Sequence, residues 1–292
     1  MLKVEIKYWL LLKKWLPPLA AVALLVLFLW WQSNGLMVTR YTFSSIKIPQ
    51  RLQGFCIVQI SDLHNKEFGG KLIEAIKQQN PHLIVITGDI ISRDDRNAAG
   101  AEALISQAAA IAPIYYVTGN HEAAFAGYPQ LARYLDMQGV TRLDHAAAVI
   151  EHNGEALNLI GLLDPAFYTP NGCLDANTAS TVQNQVAWAA RPDLLNIVLT
   201  HRPSLIESYE AGGADLVLAG HAHGGQIRLP FIGALIAPDE GFFPRYTGGM
   251  HQMQNTTMVI SRGIGNSKLL PIRLFNRPEL VVIRLDSKGS PS

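Results

Sequence analysis

Side chains that can bind metal ions follow five short apolar runs of this chain. Asp62 and His64 come directly after FCIVQI, Asp89 follows LIVIT, and Asn120 and His121 follow PIYYVT. Oxygen and imidazole ligands without a thiolate suit Mn, Fe, Zn or Co rather than a sulfur-bound structural zinc. The pattern is typical of a hydrolytic site with two metal ions. The remaining candidates, after LLNIVLT and LVLA, are His201, His221 and His223.

The apolar runs themselves predict how these side chains come together. Runs of Val, Ile and Leu without alternation indicate strands that are buried on both faces of a covered sheet. Ligands bind in the crevice beyond the carboxyl ends of such strands, so residues distant in sequence can meet there. From residue 54 the pattern alternates strands and helices and so favours parallel neighbours. The predicted helices cover 70–79, 97–111 and 128–138, and the predicted strands between them cover 83–87 and 114–118.

The second half of the chain predicts a second sheet. Alternating stretches at 147–151 and 157–161 precede a loop over 164–177, and a further βαβ pattern covers 181–219. The expected fold is therefore an α/β protein with two packed mixed β-sheets flanked by helices. The last part of the chain indicates strands only, at 225–229, 256–261 and 279–285.

Composition limits the class of protein. The 292 residues are 49% hydrophobic and 16% charged, which favours one large α/β domain with a substantial core. The net charge of +1 and the lack of a Lys/Arg-rich run argue against nucleic-acid binding. The two cysteines, Cys56 and Cys173, indicate no disulfide framework.

The amino terminus predicts a single membrane-spanning helix. Residues 15–31 contain no charge, and a spanning helix needs roughly 17–25 apolar residues. Trp30 and Trp31 fit an interfacial aromatic belt. A cleaved signal peptide is the alternative, although residues 32–35 show no small-x-small cleavage pattern. The lysines before the span place the amino terminus in the cytoplasm and favour a domain that faces outward.

These patterns divide the chain into four segments. Residues 36–48 alternate apolar and polar positions, as expected of a half-buried strand. We expect a membrane anchor over 1–35, a leading strand and connection over 36–53, the catalytic-type domain over 54–286 and a tail over 287–292.

The order of the motifs resembles a known family. Asp-x-His, Gly-Asp, Gly-Asn-His-Glu, a lone His and Gly-His-x-His, in that order, are similar to the calcineurin-like metallophosphoesterases over residues 54–285. The stretches 220–226 and 261–265 further resemble the membrane-associated bacterial branch of that family, which implies a bacterial-type inner membrane as the location. That branch includes phosphodiesterases and enzymes that cleave the pyrophosphate of UDP-2,3-diacylglucosamine in lipid A synthesis.

The resemblance implies roles for individual residues. Two divalent metal ions are expected, Mn foremost, with Fe, Zn or Co as alternatives. Asp89 would bridge the two ions, because two close cations need a carboxylate between them. His121 would hydrogen-bond the phosphate or protonate the leaving oxygen, or else support the metal ligands. Glu122 is expected to make a structural hydrogen bond. The first ion would be bound by Asp62, His64 and His223, and the second by Asn120, His201 and His221.

The substrate implied is a phosphate ester, and the apolar stretches 231–238 and 242–246 favour a lipid-bearing one. The alternative for these stretches is an internal loop packed on the second sheet. Lipid A chemistry is expected at the cytoplasmic face, which conflicts with an outward domain. A phosphodiesterase or phosphatase for small substrates and a membrane-tethered, non-catalytic scaffold are the alternative functions.

Overall fold

The structure is a computed structural model that describes residues 2–225, 227–229, 232–237, 241–266 and 272–287. The side chains of residues 2–12, 171 and 237 are not described. Most of the predicted tail and parts of the apolar stretch 231–238 lie outside the described residues.

The first sheet is built around the parallel strands that were predicted from their apolar runs. Strands β2, β3, β4 and β5 are parallel neighbours, and each consecutive pair is joined by a crossover that contains a helix. The last strand, β16, lies between β2 and the edge strand β1; it is antiparallel to β2 and parallel to β1. The strand bounds are β1 Met37–Ser45, β2 Cys56–Ile60, β3 Leu83–Thr87, β4 Ile114–Val117, β5 Thr141–Arg142 and β16 Glu279–Ser287.

The second sheet has the order β14-β15-β9-β8-β7-β6 and is likewise mixed. Its inner pairs, β15 with β9, β9 with β8 and β8 with β7, are parallel, and both edge strands are antiparallel to their neighbours. The bounds are β6 Ala146–His152, β7 Glu155–Gly161, β8 Leu195–Leu199, β9 Leu216–Ala219, β14 Gly249–Met253 and β15 Thr256–Ile260. Four two-residue strands follow β9 in the chain and form two separate antiparallel pairs, β10 with β11 and β12 with β13. Their bounds are β10 Arg228–Leu229, β11 Gly233–Ala234, β12 Ile236–Ala237 and β13 Gly241–Phe242.

Three apolar cores define the layers. Side chains such as Ile57 and Ile197 pack between the two sheets. Val58 packs against helices on one side of the sandwich, and Val198 packs against helices on the other. The expected sandwich of two mixed sheets with flanking helices is therefore confirmed. The helices are α1 Leu2–Asn34, α2 Gly70–Lys77, α3 Ala99–Ala108, α4 Asn120–Ala124, α5 Tyr128–Met137, α6 Ala176–Ala189 and α7 Ile206–Ala211.

Helix α1 contains the predicted anchor. Within the described residues, one helical segment, Lys13–Asn34, is long and apolar enough to cross a membrane, a criterion that a signal sequence also meets. Proline in a helix interior removes a backbone hydrogen bond and disfavours the helix. Helix α1 nevertheless continues through Pro17 and Pro18.

Candidate metal centre

The eight predicted site residues lie just beyond the carboxyl ends of strands from both sheets. Asp62 and His64 follow β2, and Asp89 follows β3. The first sheet also supplies Asn120 and His121 after β4. The second sheet contributes the residues after β8 and β9, namely His201, His221 and His223.

Asp62, His64 and His223 form one group whose ligand atoms converge. The Nε2 atoms of His64 and His223 are 2.9 Å apart, and Nε2 of His223 is 3.4 Å from a carboxylate oxygen of Asp62. Burial lowers the pKa of His64 to about 4. Burial and the neighbouring His64 ring lower the pKa of His223 well below its usual value. Both rings are therefore held neutral, with lone pairs available to a cation.

Asp89, His201 and His221 form a second group. Nε2 of His201 lies 3.1 Å from Oδ2 of Asp89 and 3.1 Å from Nδ1 of His221. Nδ1 of His201 donates a hydrogen bond of 2.8 Å to the carbonyl oxygen of Thr87. This bond fixes the ring so that Nε2 faces the centre, as is usual for metal-binding histidines.

Asp89 lies between the two groups. Its carboxylate belongs both to the group with His201 and His221 and to a further group with His64 and His121. Burial opposes the charge of Asp89, but the adjacent His201 holds its pKa well below the usual range. Burial likewise opposes a charge on His201, and Asp89 nevertheless raises the pKa of His201 to about 10. An ionised carboxylate therefore stands where the resemblance expects the bridging ligand.

His121 has one ring nitrogen in use. Its Nδ1 accepts a hydrogen bond of 2.9 Å from the backbone N–H of Arg93. Burial lowers the pKa of His121, so the neutral ring is favoured and its proton sits on Nε2. Nε2 lies 3.9 Å from Oδ2 of Asp89, so this N–H faces the centre.

Glu122 holds two of the loops together. Its carboxylate accepts the backbone N–H groups of Asp89 at 2.9 Å, Ile90 at 2.8 Å and Gly119 at 2.8 Å. Burial and the charge of Asp89 raise the pKa of Glu122 to about 8, although the backbone N–H groups oppose this shift. The structure thus shows the structural hydrogen bonds expected of Glu122.

Asn120 offers a direct test of whether the residues suit a cation. Its side-chain oxygen is buried and has no hydrogen-bond partner. A buried polar atom without a partner costs roughly 1–3 kcal/mol. Coordination to a cation would satisfy this oxygen, so the residue fits the predicted metal site.

The backbone bends sharply at the ligand positions. Asp62, His64, Asp89, His221 and His223 all have φ between 48° and 69°, the left-handed region. This conformation is uncommon outside glycine and is concentrated at functional sites. A Cβ at Gly220 would lie 2.6 Å from a carboxylate oxygen of Asp62, so that glycine permits the close approach of the two loops.

The sequence did not reveal several residues that orient the ligands. Ser92 Oγ lies 3.1 Å from Nδ1 of His64, and Asn276 donates a 2.6 Å hydrogen bond to the carbonyl oxygen of His223. Arg202 binds Asp164 through two hydrogen bonds, of 2.7 and 3.1 Å, and its Nη1 lies 3.2 Å from Nε2 of His221. Arg202 directly follows His201, which was the one available signal.

Comparison with known proteins gives consistent matches. A family model described as Calcineurin-like phosphoesterase matches residues 56–225. The uncharacterized metallophosphoesterase YkuE of Bacillus subtilis is 30% identical, over 85% of this chain and 85% of the relative. Phosphodiesterase YaeI of Escherichia coli is 30% identical, over 79% of this chain and 82% of the relative. A solved dimetal phosphatase from Danio rerio is 13% identical, with a TM-score of 0.45, over 72% of this chain and 88% of the solved chain.

Proposed function

This chain belongs to the calcineurin-like phosphoesterase family and is a metal-dependent phosphoester hydrolase, and we propose that it cleaves a phosphodiester or pyrophosphate bond of a lipid-linked substrate. The observation that carries the proposed two-metal hydrolysis is the position of Asp89 between two groups of convergent ligands. A single closed tetrahedral site, as in structural zinc proteins, would not need a carboxylate between two such groups.

We assign the two sites as the resemblance implies. Asp62, His64 and His223 would hold one divalent ion, and Asn120, His201 and His221 the other, with Asp89 shared. When bound, a pair of such ions activates water and offsets the charge that develops on the phosphoryl oxygens. The neutral rings of His64 and His223 and the partnerless oxygen of Asn120 support this assignment.

His121 is proposed to donate a hydrogen bond to the substrate. Its Nδ1 is engaged by the Arg93 N–H, so the neutral ring presents the Nε2 proton to the centre. That proton is suited to a phosphoryl oxygen or to the leaving-group oxygen. The alternative, support of the metal ligands, draws on the grouping of His121 with His64 and Asp89.

The lipid-linked character of the substrate is supported by exposed apolar side chains near the centre. Ile232, Ile236, Phe242 and Phe243 are exposed, which disfavours the alternative that this stretch packs on the second sheet. A substrate such as UDP-2,3-diacylglucosamine combines acyl chains with a pyrophosphate. Small diesters are the second candidate, and the name of the Escherichia coli relative, a phosphodiesterase, favours them.

The test is hydrolysis by the full chain in detergent micelles, with Mn added or chelated. Substrates are bis-p-nitrophenyl phosphate, p-nitrophenyl phosphate and UDP-2,3-diacylglucosamine. Metal-dependent turnover of the nucleotide lipid far above the model esters would support the lipid-linked proposal and a cytoplasmic domain. Turnover of the simple diester alone would leave a general phosphodiesterase. No turnover with metal bound would favour a non-catalytic scaffold.

A further inference from the structure

The carboxyl end of helix α1 packs directly on the catalytic domain. The ring centroids of Phe28 and Phe275 are 5.9 Å apart. Cζ of Arg277 lies 4.4 Å from the centroid of the Trp31 ring. The backbone N–H of Arg273 donates to Ser33 Oγ at 3.2 Å. These contacts fix the predicted membrane anchor against the segment 272–277.

The contact with Phe28 sets a depth. Phe28 precedes Trp31 by three residues, which is about 4.5 Å along a helix axis. If Trp30 and Trp31 mark the membrane interface, Phe28 lies on the membrane side of that belt. Phe275 touches Phe28, so this part of the domain reaches the lipid rather than standing off on a linker.

Phe275 is one member of an exposed apolar surface, which we call the collar. The collar comprises Ile232, Ile236, Phe242, Phe243, Ile272 and Phe275. Phe242 and Phe243 are 79% and 71% exposed, respectively. Large exposed apolar side chains that lie together on a surface are typical of an interaction site.

Backbone hydrogen bonds connect the two halves of the collar. Phe243 N–H donates to the Leu235 carbonyl at 3.0 Å, and Leu235 N–H donates to the Ile227 carbonyl at 3.1 Å. The N–H of Arg228 donates to the Leu274 carbonyl at 3.0 Å. The segments 232–237, 241–243 and 272–275 therefore form one connected unit beside the anchor.

The same unit adjoins the metal centre. Asn276, next to Phe275, donates a 2.6 Å hydrogen bond to the His223 carbonyl. Gly225 approaches Ile236 so closely that a Cβ there would lie 3.2 Å from the Ile236 carbonyl oxygen. The collar is thus connected both to the anchor and to a predicted metal ligand.

We propose that the collar seats in the surface of the lipid bilayer that holds the anchor, so that the metal centre faces phosphate groups at headgroup depth. This inference rests on the proposed function for the membrane anchor and for the lipid-linked substrate. Apolar side chains of interfacial elements typically enter the boundary between headgroups and acyl chains by about 5–10 Å. A lipid phosphate would then reach the centre without leaving the bilayer.

The test is depth-dependent fluorescence quenching with the full chain in phosphatidylglycerol–phosphatidylethanolamine vesicles. A single cysteine labelled with an NBD fluorophore is placed by Phe243→Cys or Ile232→Cys in a Cys173→Ser background; Cys173 is the exposed native cysteine and Cys56 is buried. Trp188→Cys is the matched control, because Trp188 is an 84% exposed apolar residue on helix α6 outside the collar. Vesicles contain lipids with a doxyl quencher just below the headgroup.

We expect quenching at both collar positions to exceed that at position 188 by roughly twofold or more, with a blue-shifted emission. Equal quenching at all three positions would overturn the proposal. A collar that is covered by a second protein instead of lipid would give this result. Both collar substitutions replace exposed side chains, so the fold should persist. If one variant fails to fold, the other still tests the proposal. Hydrolysis of bis-p-nitrophenyl phosphate by the unlabelled chain is measured separately. Its absence would overturn the proposed function without altering the quenching result.

Discussion

Both ends of the β-sandwich hold clustered histidines. At the carboxyl ends of β2 and β9, the rings of His64 and His223 stack with centroids 4.8 Å apart. At the opposite end, the rings of His82 and His152 lie 4.6 Å apart, and Phe55 stacks on His82 at 4.8 Å. The residue types and spacings are similar, but the chemistry differs.

The difference lies in the carboxylates and in the backbone. At the metal centre, Asp62 and Asp89 bring ionisable oxygens among the rings. Among the described residues, no group of potential metal ligands includes His82 or His152. Nδ1 of His82 instead accepts the Cys56 N–H at 2.9 Å. In this chain, the carboxylates that the bent loops place among the imidazoles distinguish the candidate metal centre from the histidine cluster at the opposite end.

The largest effect is expected from Asp89→Asn, which removes the shared carboxylate charge. Asn adopts the left-handed conformation readily, so the fold should persist while metal-dependent hydrolysis falls by roughly 10³-fold or more. Turnover of bis-p-nitrophenyl phosphate and bound metal per chain are the measurements. Asp94→Asn, on the exposed part of the same loop, is the control. Wild-type turnover in Asp89→Asn would make the two-metal assignment wrong.

His121→Gln should separate proton donation from metal binding. We expect kcat to fall by about 10²-fold, because general acid catalysis contributes on this scale, with the metal content unchanged. Elemental analysis of the purified variant, alongside kcat, provides the comparison. A parallel loss of bound metal would instead make His121 a ligand, as its grouping with His64 and Asp89 allows.

Glu122→Gln should affect stability more than chemistry. The substitution replaces one acceptor oxygen with an NH₂ group facing backbone N–H donors. Leaving such donors without an acceptor costs about 1–3 kcal/mol of unfolding free energy. Chemical denaturation in micelles measures this loss, with Glu151→Gln at an exposed position as the control. An unchanged unfolding midpoint would contradict the tethering role.

The smallest effect is expected at the other end of the sandwich. Burial and the neighbouring His152 lower the pKa of His82 below its usual value of 6.5. The His82 ring therefore binds a proton more readily in the unfolded chain than in the folded one. The stability contributed by neutral His82 is present above pH 6.5 and is lost as the pH falls through the folded-state pKa.

His82→Asn keeps an acceptor for the Cys56 N–H and removes the titration. The melting temperature of the variant should fall less steeply than that of the wild type between pH 7 and pH 5. The metal-centre histidines are common to both proteins, so the difference between the two curves isolates His82. Parallel curves would show that His82 contributes nothing to the pH dependence.

The parts of the fold that follow local patterns could be predicted from the sequence. Strand β3 has the bounds that its apolar run LIVIT predicts, and helix α5 ends one residue before its expected limit. The motifs at the strand ends include side chains that the structure brings together, such as Asp89, His201 and His221. Such features depend on residues near one another in the chain, or on the general geometry of parallel sheets.

Long-range partners could not be predicted in this way. The alternating pattern of β1 indicated a strand, but nothing local showed that it pairs with β16, more than 200 residues later. Strand β14 was missed. Asn276 was also missed, because its role depends on the carbonyl of His223, which comes near only in the folded chain. The continuation of α1 through Pro17 and Pro18 overrides a strong local preference.

The left-handed backbone at five of the candidate ligands restricts which sequences this site tolerates, apart from any effect on hydrolysis. In a library of substitutions at Asp62, Asp89 and His221, the yield of folded protein should be highest for Gly and Asn. It should be lowest for Val, Ile and Thr, whose branched side chains oppose positive φ. Hydrophobicity should have little influence on that ranking. Substitution tolerance at these positions would then report local backbone geometry even in chains that have lost all activity.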